Sequence, residues 1–168
     1  MTLWIVRHAC AGHRSAWEGP DEERPLDVAG VQQARALATL LAAHDLDRLV
    51  SSPHKRCVDT LAPLAEATEL PLAVDGALRP GDAAVGVLGD LLHDPGSDGS
   101  VVCTHGEVMA ALLPALRAGS IRVVDDRSDD ALLLKGAAWR IDRSAHPWLL
   151  ELIAPIPRDP CPAHAEAD

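Results

Sequence analysis

The sequence predicts an α/β domain with a mostly parallel central sheet. Short apolar runs that suit buried strands alternate with longer segments whose apolar residues recur at helical spacing, and Gly- and Pro-containing turns separate the two. The chain has 168 residues, which is enough for one domain with a core and too few for two comfortable ones.

The predicted strands are short and rich in Leu, Ile and Val. They cover residues 3–6, 49–50, 72–74, 101–104, 131–135, 137–142 and 148–153. Consecutive strands that are joined through a helix run parallel, so most of the sheet is expected to be parallel.

The predicted helices lie between these strands. They cover about residues 28–43, 54–68, 83–93 and 107–116. Asp27 is a suitable N-cap for the first of them, and the polar segment 13–27 is expected to be a long loop. Residues 1–154 are expected to form the domain, and the proline-rich residues 155–168 a flexible tail.

Charge and composition exclude several kinds of function. The net charge is −10, so neither a nucleic acid polymer nor an anionic membrane is an expected partner, because both require a basic surface. No segment resembles a signal peptide or approaches the roughly 20 apolar residues of a bilayer span. The four cysteines show no CxxC pairing and no metal-ligand spacing. This predicts reduced thiols in a cytoplasmic protein. No metal or other cofactor is expected.

Charged residues follow three of the predicted strands. Arg7-His8 comes directly after the first strand, Arg56 lies in the first turn of the second helix, and His105 precedes the fourth helix. Taken alone, Arg7-His8 is more typical of a solvated strand end than of a site. Ligands of parallel sheets bind at the carboxyl ends of strands, and helix N-termini favour anions, so we expect these residues to form one anion site.

This combination of residues suits phosphoryl transfer. The moving phosphoryl group carries negative charge on three oxygens, which the rigid fork of arginine matches. A neutral histidine can attack phosphorus and hold it covalently. Its other ring nitrogen must then be fixed by a hydrogen bond, which we expect from a backbone carbonyl.

The motifs resemble those of the histidine phosphatase superfamily, the phosphoglycerate-mutase-like proteins. Their signature is Arg-His-Gly after the first strand, then Ser-Ser-Pro-x-x-Arg-x-x-x-Thr, then a later His-Gly. This chain has Arg7-His8-Ala9, the segment 51–60 with Arg56 at the matching place, and His105-Gly106. Ala9 is the one departure and keeps a small residue beside His8. The match extends over about residues 3–118.

The resemblance implies a three-layer α/β/α fold of the phosphoglycerate-mutase type. It also implies that His8 is the phosphorylated nucleophile and that Arg7, Arg56 and His105 hold the phosphoryl oxygens.

Two further segments point to particular branches of the superfamily. The loop 24–27, Arg-Pro-Leu-Asp, resembles the small phosphohistidine phosphatases. The same loop and residues 135–139 also resemble a phosphatase domain that some bacterial proteins carry fused to a Nudix hydrolase.

The residue that protonates the leaving group is not obvious. Many members of the superfamily use a carboxylic acid after the third strand, but segment 77–82 lacks the expected Glu. Asp82 is the nearest candidate, and Glu107 either serves as a second one or orients His105. Because a nitrogen leaving group depends less on such an acid, the missing Glu fits a phosphohistidine or phosphoramidate substrate.

Arg14 and Arg24, together with His13, lie in the long loop beside the expected site. They are candidates for binding a second anionic group of the substrate, and the alternative is that they are solvated loop charges.

The expected function is therefore a metal-independent phosphatase that acts on a phosphohistidine protein or a small phosphorylated metabolite. The segments between the motifs carry no large insertion that would close the site, which favours hydrolysis over phosphoglycerate-mutase-type transfer. That transfer reaction is one alternative, and a weakly active phosphate-binding regulatory module is the other.

Overall fold

Strands and helices alternate along the chain in a computed structural model that describes residues 1–119, 121–124 and 128–153. The strands are β1 (Thr2–Arg7), β2 (Arg48–Ser51), β3 (Leu72–Val74), β4 (Ser100–Thr104), β5 (Ile121–Val123), β6 (Ala138–Asp142) and β7 (Trp148–Ile153). The helices are α1 (Val28–Leu41), α2 (Lys55–Thr68), α3 (Asp82–His93), α4 (Gly106–Ala118) and α5 (Asp129–Leu132). The tail predicted over 155–168 lies outside the described residues.

The strands form one sheet in the order β3-β2-β4-β1-β6-β7-β5. β4 lies between β1 and β2 and runs parallel to both, and β3 adds to β2 in the same direction. β6 is antiparallel to β1 and to β7. The prediction of a mostly parallel sheet is confirmed, and the carboxyl ends of β1, β2 and β4 lie side by side at one edge.

The two faces of the sheet carry separate apolar cores. Leu3 and Ile5 are fully buried in a core with α3 and α4, whereas Trp4 and Val6 are buried in a core with α1 and α2. Burying a side chain of this size contributes about 1.5–3 kcal/mol. Helices therefore cover both faces, and the three-layer α/β/α architecture is confirmed.

The start of α1 is fastened to the segment that follows β1. The Asp27 carboxylate caps the helix by accepting from Gly30 N at 2.7 Å, and it also accepts from Gly12 N at 3.0 Å. A Cβ at Gly30 would overlap the Cys10 carbonyl oxygen. Glycine at this position lets the helix approach the chain close to His8.

The strand predicted over residues 131–135 is wrong. The chain there forms the last residues of α5 and a turn, and Leu132 is fully buried. The Ser128 carbonyl accepts from Ala131 N and Leu132 N, so one helical turn is enough to bury the first leucine of the apolar run. Ser128 before two acidic residues is the signal that favours this helix.

Strand β5 was not predicted from the sequence. It has three residues at the sheet edge and pairs in parallel with β7. Its central residue, Arg122, is exposed, so the segment shows no apolar run. Among the described residues, no helix has the length and apolar character needed to cross a bilayer.

Candidate active site

Three parallel strands bring arginine and histidine side chains to one edge of the sheet. Arg7 ends β1 and His8 follows it, Arg56 lies in the first turn of α2 after β2, and His105 is the N-cap of α4 after β4. His8, Arg56 and His105 are 6%, 4% and 0% exposed, respectively. Adjacent strands thus bring together side chains that are far apart in sequence.

Hydrogen bonds on both ring nitrogens fix the tautomer of His8. Nδ1 lies 2.8 Å from the carbonyl oxygen of Ala9, which only accepts, so Nδ1 carries the proton and donates. Nε2 accepts from Arg56 Nε, a group that only donates, at 3.3 Å. The Nε2 lone pair therefore points at the Arg56 guanidinium, and the backbone carbonyl expected from the sequence holds the other nitrogen.

The surroundings of His8 keep the imidazole neutral. Burial lowers its pKa well below 6.5, and the charges of Arg56 and Arg7 lower it further. The hydrogen bond with Ala9 opposes these effects without outweighing them. A neutral imidazole with an unprotonated Nε2 is the form that can attack phosphorus.

His105 is neutral for similar reasons. Its Nδ1 lies 3.5 Å from Arg56 Nη2, and its Nε2 lies 2.9 Å from Ser52 Oγ. Because the guanidinium only donates, the proton resides on Nε2 and is donated to Ser52. Burial, Arg56 and the neighbouring His54 lower the pKa of His105 to about 3. The rings of His54 and His105 meet edge-on with centroids 4.6 Å apart.

Arg7 lies against the start of α4. A Cβ at Gly106 would overlap the Arg7 guanidinium, so glycine after His105 makes room for this cation. Arg7 Nη1 donates to the carbonyl oxygen of Leu133. The N-terminus of α4 adds free backbone N–H groups beside the same cation, an arrangement that favours anions.

The backbone of Arg7 and His8 is bonded on both sides. On one side, His8 N donates to Thr104 O at 3.0 Å. On the other, Arg7 N donates to Ala137 O at 2.9 Å, and His8 O accepts from Gly136 N at 3.1 Å. The segment 133–137 therefore holds the backbone of Arg7 and His8 from the side opposite β4.

Asp21, which the sequence did not single out, is bonded to Arg56. Its carbonyl oxygen accepts from Arg56 Nη1 at 2.8 Å, and its carboxylate oxygen Oδ2 lies 3.1 Å from Arg56 Nη2. Asp21 opens a 3-10 turn over residues 21–23 in the long loop. No periodic pattern marks this position, and its only sequence signal is an acid three residues before Arg24.

Arg14 and Arg24 meet at Asp21. Arg14 Nη1 and Arg24 Nε each lie 2.9 Å from Asp21 Oδ1. Arg24 also donates to Ala11 O at 2.7 Å, and its side chain is 11% exposed, whereas that of Arg14 is 73% exposed. Arg24 is thus a mostly buried part of the loop beside His8, whereas Arg14 lies at the protein surface.

The two carboxylates considered as the general acid lie apart from these contacts. Asp82 is the exposed first residue of α3, and Glu107 is exposed in the first turn of α4. In the described part of the chain, neither side chain makes a hydrogen bond or ion pair with His8, Arg56 or His105. The carboxylate that contacts the site is Asp21.

The described cysteines are buried and reduced. Cys10, Cys57 and Cys103 are free thiols, and Cys161 lies outside the described residues. Burial raises the pKa of Cys103 well above 9.0, which disfavours its thiolate. Over residues 1–119, 121–124 and 128–153, no group of three or more His, Cys, Asp or Glu side chains is arranged to hold a metal ion.

Comparison with known proteins agrees with this geometry. The family model described as histidine phosphatase superfamily (branch 1) matches residues 3–83. This segment therefore resembles the histidine phosphatase superfamily in sequence. The matched range contains β1 with His8, the Asp21 turn and Arg56, whereas His105 lies beyond it.

Two curated relatives match part of this chain in sequence. The 8-oxo-(d)GTP phosphatase of Mycolicibacterium smegmatis is 36% identical over 118 residues, which cover 67% of this chain and 36% of the relative. The transcription factor tau 55 kDa subunit of Saccharomyces cerevisiae is 37% identical over 86 residues, 44% of this chain and 19% of that protein. The chain therefore spans well under half the length of either relative.

Solved structures with a similar fold cover nearly the whole chain. A protein described as phosphohistidine phosphatase SixA from Agrobacterium tumefaciens superposes with a TM-score of 0.72 at 21% identity, covering 92% of this chain and 97% of that one. A mycobacterial glucosyl-3-phosphoglycerate phosphatase in complex with VO3 gives a TM-score of 0.64 at 20% identity, covering 91% and 98%. The phosphoglycerate-mutase-like fold expected from the sequence is confirmed.

Proposed function

We propose that this chain is a metal-independent phosphatase that works through a phosphohistidine intermediate on His8. The observation that carries the proposal is the fixed tautomer of His8. Nδ1 is held by Ala9 O at 2.8 Å, and the Nε2 lone pair faces Arg56 Nε at 3.3 Å. A site that only bound phosphate would not need an unprotonated imidazole nitrogen beside its guanidinium.

The first step transfers the phosphoryl group to His8. Nε2 supplies the electron pair for a new N–P bond, and the bond between phosphorus and the leaving group breaks with its electron pair on the leaving atom. Arg7 and Arg56 hold the equatorial oxygens and offset their negative charge. His105, beside Arg56, gains a proton more readily once a dianion is bound, and then donates to a third oxygen.

The second step returns the enzyme to its starting state. Water attacks phosphorus opposite His8, the N–P bond breaks, and its electron pair returns to Nε2. Inorganic phosphate leaves, and the proton lost by the attacking water goes to phosphate or solvent. The same cations stabilise both transition states, because both are in-line displacements on one phosphoryl group.

The substrate class is inferred from the positions and charges of the carboxylates that could protonate the leaving group. Neither Asp82 nor Glu107 contacts the site in the described residues, and Asp21 is held ionised by its arginines. Leaving groups that depart without an enzymic acid are a histidine nitrogen or another phosphate. We therefore propose a phosphohistidine protein or a small phosphorylated metabolite as substrate. The SixA-like fold supports the former, and the 8-oxo-(d)GTP phosphatase relative supports a nucleoside polyphosphate among the latter.

Hydrolysis of an aryl phosphate in the presence of EDTA tests the proposal. We expect turnover by wild type, a base-stable phosphoenzyme on rapid quenching with labelled substrate, and loss of both in His8→Asn by at least ~1,000-fold. His93→Asn, an exposed histidine at the end of α3, is the matched control and should keep wild-type turnover.

Other outcomes would point to the alternatives. Turnover that survives in His8→Asn, or that EDTA abolishes, would refute the proposed mechanism. Labelled phosphate appearing on an added acceptor alcohol in place of water would indicate phosphoglycerate-mutase-type transfer. Phosphate binding without turnover of aryl phosphate, phosphohistidine or nucleoside diphosphate would indicate a regulatory binding module.

A further inference from the structure

We propose that Asp21 is a positioning residue that orients the Arg56 guanidinium toward the phosphoryl group. The proposal rests on the function proposed above and adds a residue outside the predicted site. Three observations support the proposal. They are the groups bonded to each side of the Arg56 guanidinium, the groups that hold Asp21 in place, and the charge of Asp21.

The two edges of the Arg56 guanidinium face different groups. The end of the fork, Nη1 and Nη2, is bonded to Asp21, through its carbonyl oxygen at 2.8 Å and its carboxylate at 3.1 Å. The side of the fork, Nε and Nη2, faces His8 Nε2 at 3.3 Å and His105 Nδ1 at 3.5 Å. Asp21 thus leaves the paired donors that match two phosphoryl oxygens directed at the nucleophile.

Asp21 is itself anchored to the segment that follows the nucleophile. Its Oδ1 lies 2.9 Å from Arg24 Nε, and Arg24 Nη1 donates to Ala11 O at 2.7 Å and to Gly12 O at 3.2 Å. One carboxylate therefore connects Arg56 on α2 to the chain immediately after β1. Any movement of Arg56 relative to His8 has to break these bonds.

The charge of Asp21 suits positioning and not proton donation. Burial opposes its ionisation, but the hydrogen bond from Arg24 and the charges of Arg56, Arg24 and Arg14 outweigh this and lower its pKa. A carboxylate that stays ionised holds no proton for a leaving group. Asp21 therefore acts on the reaction through Arg56.

The test compares Asp21→Asn with Glu23→Gln. Both variants remove one negative charge from the same turn, but Glu23 is exposed and makes no contact with Arg56. Each is assayed against aryl phosphates with good and poor leaving groups, and each is titrated with orthovanadate, which imitates five-coordinate phosphorus. Thermal unfolding of each variant shows that the fold is intact.

We expect Asp21→Asn to lower kcat by about 10- to 100-fold, because a guanidinium misplaced by an ångström costs on the order of 100-fold. The factor should be the same for every leaving group, and orthovanadate inhibition should weaken in parallel. Glu23→Gln should behave as wild type. Asp21→Glu, which keeps the charge and moves it by one methylene, should lose less, and it replaces Asp21→Asn if that variant does not fold.

Two results would overturn the role of Asp21. One is wild-type kcat and orthovanadate inhibition in Asp21→Asn. The other is a loss that grows as the leaving group becomes poorer, which is the signature of a proton donor. Absence of turnover and of phosphoenzyme in the wild-type protein would instead refute the proposed function.

Discussion

Gly106 lies directly beneath the guanidinium of Arg7, so that a Cβ at this position would overlap the guanidinium carbon. The residue after His105 is therefore restricted to glycine, because the guanidinium of Arg7, from β1, occupies the space that a Cβ would need. Arg7 can take this position only because the first residue of α4 has no side chain.

Gly106→Ala should therefore displace Arg7 and lower kcat/KM by about 100-fold, with a smaller effect on thermal stability. Gly86→Ala in α3 is the control, because a Cβ there meets nothing within 4 Å. It should keep full activity and gain about 0.5–1 kcal/mol of stability, since alanine is the better helix former. Wild-type kcat/KM in Gly106→Ala would show that Arg7 does not need its present position.

Ser52→Ala should lower kcat by about 10-fold, because the buried Nε2–H of His105 loses its acceptor and its tautomer is no longer fixed. Steady-state kinetics on an aryl phosphate measures the change. Ser51→Ala removes a hydroxyl that donates to Ser52 O at 2.8 Å and has no bond to His105. That control should lose stability and keep its kcat. Equal kcat in the two variants would contradict the role given to Ser52.

Acidification from pH 7 to pH 5.5 should reduce the free energy of unfolding. Burial keeps the pKa of His8 well below 6.5 and that of His105 at about 3, whereas both return to about 6.5 in the unfolded chain. Over this interval the unfolded state binds more protons than the folded state, so stability falls as pH falls. Urea unfolding at the two pH values measures the difference.

The same experiment on His105→Asn should show a smaller loss between pH 7 and pH 5.5. Saturating phosphate should also reduce the loss in wild type, because a bound anion raises the pKa of the folded-state histidines. A free energy of unfolding that is unchanged between the two pH values would exclude buried neutral histidines.

Arg143→Met should lower the free energy of unfolding by about 2–3 kcal/mol and leave kcat/KM unchanged. Arg143 is 7% exposed, and its Nη1 lies 3.0 Å from the carbonyl oxygens of Leu91 and Leu92 at the end of α3. Arg143 follows β6, which is antiparallel to β1, so it lies at the opposite end of the strands from the candidate site. Urea denaturation measures the loss.

Arg140→Met serves as the comparison for Arg143→Met. Its side chain is 34% exposed and pairs with Glu151 at 3.3 Å, so the expected loss is below about 1 kcal/mol. Similar losses in the two variants would contradict a special contribution from Arg143.

The sequence predicted the parts of the site that depend on strand order. Parallel strands joined by helices end at one edge, so Arg7, His8, Arg56 and His105 could be placed near one another from their positions after β1, β2 and β4 alone. The alternation of apolar runs and helical periods also predicted most elements of the three-layer fold. These features depend on repeating patterns.

The sequence did not predict features whose role comes from individual contacts between residues far apart in the chain. Asp21 lies in a polar loop without periodicity, and its importance comes from its contacts with Arg56 and Arg24. The run 131–135 was assigned to a strand because apolar composition does not distinguish a short buried helix from a strand. β5 was missed because an exposed edge strand of three residues carries no apolar run.

The hydrogen bonds from segment 133–137 to Arg7 and His8 have a consequence for how the site is assembled during synthesis. Residues 7 and 8 leave the ribosome well before Leu133, Gly136 and Ala137, which bond to them. The nascent chain therefore contains His8 long before it can hold it in place, and the site forms only when segment 133–137 has docked.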